Sequence, residues 1–444
     1  MNKSSVDSKG NLSLKSLIIM GGALFSMHFG ASCMLYPVQW GKDSGSSVFI
    51  AYIAIVLTAL LLPLLAYIAL SRGNGTFWEI TLRLTPKFGK IFCGLTALLL
   101  GPLYIIPRMS AAAWDALVQV TGWQVESIIP LFLFNVVYYV ITYWFIAGRS
   151  DTMDKVGKIL FPILIVIVVG VIGKGLFTPL SVRLPKTYSE PAWAYGFLQG
   201  YQTGDLPAAL LFGLVMLQSI KAAGVPAENI NKNMIRLGFV GMGMLALTHL
   251  GHMIVGSSIG DTINLTYAAL YAELVLKLWG MTGGVVFNIA LMFAALTTAI
   301  GCAGACAEFF DTAFNGKYSY KLLCAITCVI STVVASIGLN NIVTFMGPLL
   351  NACYPAAIIV VLYYVFVKNH ADPKLMNGAR YATIAAGISG MIDVLSSYNS
   401  LFGINSEAFS KFYAALPLSD VMLTWIPVSV IFFIIGMVTY RKKA

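Results

Sequence analysis

Continuous apolar runs separated by short polar connections repeat from one end of the chain to the other. A helix that crosses a bilayer core about 30 Å thick needs about 20 mostly apolar residues. Runs of that kind lie near 14–38, 47–70, 88–120, 128–147, 156–177, 192–222, 234–257, 281–309, 319–338, 341–367, 378–397 and 421–440. They predict an all-α integral membrane protein with about twelve transmembrane helices. Stretches such as LFPILIVIVVGV, residues 160–171, are uninterrupted. An outer-membrane barrel would alternate apolar and polar positions in segments of about ten residues, so that class is set aside. The connections are short, which leaves one integral domain and no separate soluble one.

Composition agrees with the pattern. Of the 444 residues, 58% are hydrophobic and 10% are charged, against about 25% charged in a soluble domain. The net charge of +10 is explained by topology rather than by nucleic acid. With an even number of spans both termini share a side, and loops on that side hold 21 of the 28 Lys and Arg. The opposite loops hold six, and Arg108 falls inside a span. Basic residues stay cytoplasmic, so both termini are predicted to be cytoplasmic, with the basic loops near anionic lipid headgroups. The first run is too long for a signal-peptide core and no A-x-A site follows it; it is kept as a span. Seven cysteines, all within predicted spans and without a C-x-x-C, give no disulfide or metal framework.

Ionisable groups at bilayer depth are costly and therefore informative. Asp205 sits in GYQTGDLP, residues 200–207, in the middle of the sixth run. Gly200, Gly204 and Pro207 oppose a continuous helix there. The first run carries a matching patch, Met27-His28-Phe29-Gly30-Ala31-Ser32-Cys33, with Pro37 beyond it. The alternatives are a proline kink with a structural Asp205, and a tight helix crossing at Gly30. Broken backbone is tolerated in a membrane where it lines a cavity or is buried in protein. Breaks in the first and sixth spans predict an inverted repeat of five plus five spans. The chain then divides into a cytoplasmic tail (1–13), a first repeat (14–177), a second (178–367), and two additional helices with the C-terminus (368–444). Half-helix N-termini would face a substrate carboxylate and freed carbonyls would hold a cation.

Further polar groups admit two readings each. Thr297 and Thr298 in the eighth run offer adjacent hydroxyls for a hard cation, or bond back to their own helix. Arg108 closes GPLYIIPR, residues 101–108, and Asp115 lies seven residues on, which predicts a structural ion pair. His249 and His252, at i,i+3, form a proton relay or are satisfied structural groups. Asp393, in the eleventh run, is read as structural.

The stretches HFGASCMLYP (28–37), GPLYIIPR (101–108), GYQTGDLPAALLFG (200–213), LTTAIG (296–301), ACAEFF (305–310), ACYPA (352–356) and GMIDVL (390–395) run through nearly the whole chain. On them the chain resembles the bacterial branched-chain amino acid:cation symporters, the BrnQ or LIVCS family. The resemblance implies a LeuT-like 5+5 inverted repeat plus two extra helices, in the bacterial cytoplasmic (inner) membrane. It implies cation-coupled symport, with sodium (Na+), of leucine, isoleucine, valine or a related small amino acid by alternating access. Gly30, Ala31, Ser32 and Cys33 of the first span, with Gln202, Thr203, Gly204 and Asp205 of the sixth, would hold the substrate. Backbone near Phe25 and His28, with Ala294, Thr297 and Thr298, would hold the coupling ion. Gly204 stands where the family often has methionine, which implies room for a larger or more polar side chain than valine's.

Other classes fit less well. No pore-lining filter motif marks a channel. No H-E-x-x-H, G-x-S-x-G or Walker sequence marks an enzyme or an ATP-driven pump. A proton-coupled carrier using Asp205 or His28, and an uncoupled carrier, stay open. The sequence sets no oligomeric state.

Overall fold

The structure, a computed structural model, describes residues 5–121, 123, 127–148, 152–201, 203–265, 267–404, 406–419 and 422–440. Regular structure among the described residues is helical, apart from one antiparallel bridge between Val6 and Leu12 in the N-terminal tail. The first predicted span is two helices, α1 (Leu14–His28) and α2 (Ala31–Ser44). Helices α3 (Val48–Ile55) and α4 (Leu61–Arg72) join through a π turn at Val56–Leu60. A short α5 (Phe77–Leu84) precedes α6 (Pro86–Leu98), which passes through a second π turn, Leu99–Leu103, into α7 (Ile105–Thr121). Next come α8 (Ile128–Ile146), α9 (Thr152–Lys155), a third π turn at Val156–Leu160, and α10 (Phe161–Phe177).

The sixth predicted span is again two helices, α11 (Ala192–Tyr201) and α12 (Asp205–Ala222). The chain continues through α13 (Ala227–Ser257), α14 (Tyr267–Trp279), α15 (Met281–Ala313), α16 (Tyr320–Ala335) and α17 (Leu339–Phe366). It ends with α18 (Pro373–Leu401), α19 (Glu407–Ala414) and α20 (Trp425–Thr439). Eight helical runs among the described residues are long and apolar enough to cross a membrane, and α1, α16 and α20 are shorter apolar helices.

Local chemistry explains several boundaries. Ser13 caps α1 by accepting the Ser16 N–H at 3.3 Å. Thr76 and Glu79 form a reciprocal capping box that starts α5. Asp372 accepts the Lys374 and Leu375 N–H groups ahead of Pro373 at the start of α18.

Burial is arranged for lipid rather than water. Val137 and Trp144 of α8, Val166 of α10 and Val329 of α16 face outward, with Val137 60% exposed. His28, Asp205, His249, Thr297 and Asp393 are buried. Apolar faces of this extent on the outside mark contact with a membrane. At the centre, α1 packs on α13 and α15, and α12 on α4, α13 and α15. The two broken runs therefore share α13 and α15 as common supports.

Val137 lies midway along α8, so Val137→Arg would place a charge in hydrocarbon. The expected penalty on membrane insertion of α8 is about 2.5–3.5 kcal/mol. A translocon insertion assay with a glycosylation reporter measures it; insertion as efficient as that of the unaltered segment would contradict the lipid-facing assignment.

Candidate functional site

The first break is a tight turn. Helix α1 closes with the Phe29 N–H donating to the Phe25 carbonyl at 2.7 Å, and the Gly30 N–H then donates to the His28 carbonyl at 2.8 Å. Phe29 (φ −76°, ψ 70°) is the centre of an inverse γ-turn. Gly30 is extended (φ −81°, ψ −177°) and forms the N-cap of α2. A side chain there would not fit: its Cβ would lie 2.8 Å from Thr298 Oγ1 on α15. Glycine also leaves α2 without a side-chain cap, so none covers its first-turn N–H groups.

The second break depends on backbone handedness. Gly204 is left-handed (φ 80°, ψ 5°), a region that favours glycine. Thr203 bridges the turn, its hydroxyl donating to the Gly200 carbonyl at 3.0 Å and accepting the Asp205 N–H at 3.4 Å. Asp205 opens α12, where negative charge is favoured by the helix dipole. Pro207 follows in the first turn, where its missing N–H costs little.

Side chains join the two breaks. His28 Nδ1 lies 3.1 Å from Asp205 Oδ1, and His28 Nε2 lies 2.7 Å from the Tyr67 hydroxyl on α4. The carboxylate accepts from Nδ1–H; the Tyr67 hydroxyl donates to Nε2 when the ring is neutral and accepts when it is charged. Phe212 of α12 meets the His28 ring edge to face at 4.9 Å. Asp205 Oδ2 is buried without a hydrogen-bond partner. On α15, the Thr298 hydroxyl donates to the Met27 carbonyl at 2.8 Å, tying the end of α1 to a helix 271 residues away.

A cavity of about 40 Å³ lies between the breaks. It is room for roughly three waters at about 10–15 Å³ each. Gly30, Ser32, Cys33, Thr203, Gly204 and Asp205 border it, with His28 and Thr298 beside them. Its apolar wall is Leu100, Ile105, Met109, Ala208 and Phe212. A larger cavity of about 310 Å³ adjoins, bordered by Tyr36, Trp40, Tyr104, Gln199 and Tyr267. Arg108 and Thr203 border both.

Of the remaining residues expected at the substrate, Ala31 is buried at the start of α2 without lining the cavity. Gln202 lies outside the described residues. In the expected ion group, the Phe25 carbonyl accepts the Phe29 N–H, and the His28 carbonyl accepts both Gly30 N–H and the Cys33 thiol. Thr297 donates to the Ala294 carbonyl of its own helix at 3.0 Å. Thr298 alone of the two hydroxyls reaches the first break.

Other expectations change. Arg108 does not pair with Asp115. Its guanidinium donates to the Tyr104 hydroxyl and to Ser32 Oγ, each at 2.9 Å, while Asp115 is exposed. Seven residues are close to two helical turns and put both on one face, but about 10 Å apart along the axis, and Arg108 reaches Tyr104 and Ser32 at the first break instead. His252 is satisfied by the Thr248 carbonyl at 2.9 Å and the Tyr271 hydroxyl at 3.0 Å, and neither nitrogen of His249 has a hydrogen-bond partner. They do not bond each other. Asp393 accepts from Tyr413 at 2.9 Å and Thr424 at 3.4 Å, a structural arrangement. Tyr67 and Phe212 are not singled out by sequence, and Met27 is read there only as the start of the first patch, not as a carbonyl partner of Thr298. Tyr67 sits in the plain run LLPLLAYIAL, where nothing distinguishes a ligand of His28 from a packing tyrosine.

A helical bundle with apolar faces outside and a polar, twice-broken centre defines a multi-pass membrane protein, and its overall fold is that of known transporters. It is similar to Mhp1, a nucleobase-cation-symport-1 family transporter solved in a closed conformation with bromovinylhydantoin bound: TM-score 0.61 over 98% of this chain and 95% of that one, at 12% identity. The sequence model of the branched-chain amino acid transport proteins matches residues 13–443, and the chain belongs to that family. The branched-chain amino acid permease BraB of Bacillus subtilis is 34% identical over 221 residues, which is 49% of each chain. A Staphylococcus haemolyticus protein provisionally named a branched-chain amino acid carrier is 29% identical over 96% of this chain and 97% of its own. The chain is a transporter, not an enzyme.

Gly204 is expected from sequence both to interrupt the helix and to leave room for a larger side chain; its left-handed backbone accounts for the first role. Any side chain there is strained before it meets a substrate, and a Cβ would also come 3.2 Å from Leu350. Gly204→Ala is expected to lower stability by about 1–2 kcal/mol, read by thermal unfolding in detergent. Gly243→Ala on α13, with open space around it, is the control. Equal melting temperatures for the two variants would contradict a strained turn at 204.

Proposed function

We propose that this chain is a secondary active carrier that couples the entry of a branched-chain amino acid (leucine, isoleucine or valine), or a related small one, to a cation gradient by alternating access. One observation carries the reading: two helix breaks meet at a buried cavity edged by ionisable and polar groups. In this account the chain crosses a bacterial inner membrane twelve times, as a 5+5 inverted repeat (14–177 and 178–367) plus two helices, with both termini cytoplasmic. The bias of Lys and Arg to one set of loops supports that orientation.

The substrate is a zwitterion. Its carboxylate meets the uncapped N-terminus of α2, where the helix dipole and free N–H groups favour an anion. Its aliphatic side chain lies against Leu100, Ile105, Met109 and Phe212. The small cavity holds such a ligand after the surrounding helices part, as population of an open state allows.

Sodium is the coupling ion and a second substrate. Hard cations take oxygen ligands, and a carbonyl retains a second lone pair when it accepts one hydrogen bond. The Thr298 hydroxyl and the Met27 carbonyl are 2.8 Å apart, a pair that a cation would draw on in place of their mutual hydrogen bond. The Phe25, His28 and Ala294 carbonyls lie on the same two helix segments. A second reading, proton coupling, is favoured by the buried His28–Asp205 pair.

Reconstituted liposomes decide between them. With sodium as the ion, Thr298→Ala raises the sodium concentration for half-maximal isoleucine uptake by about tenfold, the effect of a ligand worth about 1.4 kcal/mol. Thr297→Ala has less effect, because its hydroxyl is spent on its own helix. Uptake that follows an imposed pH gradient without sodium, and is indifferent to Thr298→Ala, would overturn sodium coupling in favour of protons.

A further inference from the structure

The polar groups around the cavity are not balanced. Arg108 is a cation whose two described hydrogen-bond partners, Tyr104 and Ser32, are neutral hydroxyls. Its Nε is buried without a partner. Ser32 belongs to the first turn of α2, so the guanidinium sits beside the uncapped, partially positive end of a helix. A cation at a helix N-terminus is unfavourable by the dipole alone, and no acidic side chain intervenes. Across the same cavity, Asp205 is only 5% exposed and keeps Oδ2 without a partner, although Oδ1 is held by His28. No hydrogen bond or ion pair joins Arg108 to Asp205, yet both border the cavity. A buried charge needs a hydrogen-bonded counter-charge.

We propose that Arg108 and Asp205 are the two charge anchors of the transported zwitterion, Arg108 taking its carboxylate together with the α2 N-terminus and Asp205 Oδ2 taking its ammonium group. This rests on the amino-acid reading above. It gives α7 a direct part in recognition, in place of the structural ion pair expected of Arg108. Arginine suits the role because its planar fork donates to a carboxylate while two of its nitrogens also donate to Tyr104 and Ser32. The ligand completes the charge balance of the site, so binding favours a molecule carrying both charges over one carrying either alone. His28 and Tyr67 act as positioning residues, holding Oδ1 so that Oδ2 faces the cavity.

Competition binding on the purified full-length protein in sodium-containing buffer tests the assignment with three ligands of one side chain. These are isoleucine, isoleucinamide (no carboxylate) and 3-methyl-2-oxopentanoate (no ammonium). The wild type should prefer isoleucine to each of the others by about ten- to hundredfold, the range of a charge-assisted hydrogen bond. In Arg108→Gln the preference over isoleucinamide should vanish while that over the oxo acid persists; Asp205→Asn should show the reverse. Arg108→Lys, which keeps the charge without the fork, should give an intermediate preference and carries the test if Arg108→Gln fails to elute as a single species. A residue of structural importance alone would weaken all three ligands together, and that outcome, or an unchanged preference in the Arg108 variants, overturns the assignment. Of the two anchors, unchanged preferences in the Arg108 variants remove Arg108, and an unchanged preference in Asp205→Asn removes Asp205. A wild type that binds none of the three overturns the amino-acid reading and this inference with it.

Discussion

Backbone that leaves a helix inside a membrane must find partners for its freed N–H and C=O groups within the protein. That constraint organises this molecule. The breaks at Phe29–Gly30 and Thr203–Gly204 each free polar groups midway along an otherwise apolar run, and each is covered by the other and by α15. Hydrogen bonds from Thr298 to Met27 and within the γ-turn at Phe29 account for carbonyls of the first break. The Thr203 hydroxyl serves the second. The His28–Asp205 contact then fastens one break to the other across 177 residues of sequence. Leaving either partner alone in this buried place would strand a polar group, so the two breaks form one unit.

The same unit explains how a mostly apolar bundle can recognise a polar solute. Groups that water would otherwise satisfy are gathered where water is nearly excluded, at a cavity of about 40 Å³. Low local dielectric strengthens each interaction there and raises the cost of leaving it unmade. The adjoining cavity of about 310 Å³ shares Arg108 and Thr203 with the inner one, so the two spaces are separated by few side chains. A solute moving between them passes along the uncapped end of α2. Since α1 and α12 both lean on α15, displacement of either half-helix alters the contacts of both.

Much of the architecture was legible in the sequence because its signals are strong and local. A run of about 20 apolar residues has few alternatives to a membrane helix. Glycine and proline beside a lone Asp205 announced the second break, and the polar patch around His28 announced the first. What failed to show was three-dimensional. Arg108 and Asp115 share a spacing that suits one helix face, but two turns separate them by about 10 Å along the axis, and the guanidinium finds Ser32 of the first break and Tyr104 instead. Tyr67 carries no local mark, since its role comes from α4 packing against α12. Thr297 and Thr298 are alike in sequence, yet one bonds its own helix and the other reaches Met27. Neighbouring residues on a helix point about 100° apart, so only the position of α1 separates their roles.

The central claim is that the transported molecule sits between the two helix breaks. The most direct measurement is an experimentally determined structure of the full-length protein in lipid with isoleucine and sodium present. The account predicts amino-acid density bounded by Gly30, Ser32 and Asp205, with Arg108 beside its carboxylate. Isoleucine resting only in the wider cavity among Tyr36, Trp40 and Tyr267, with the space between the breaks closed, would contradict it.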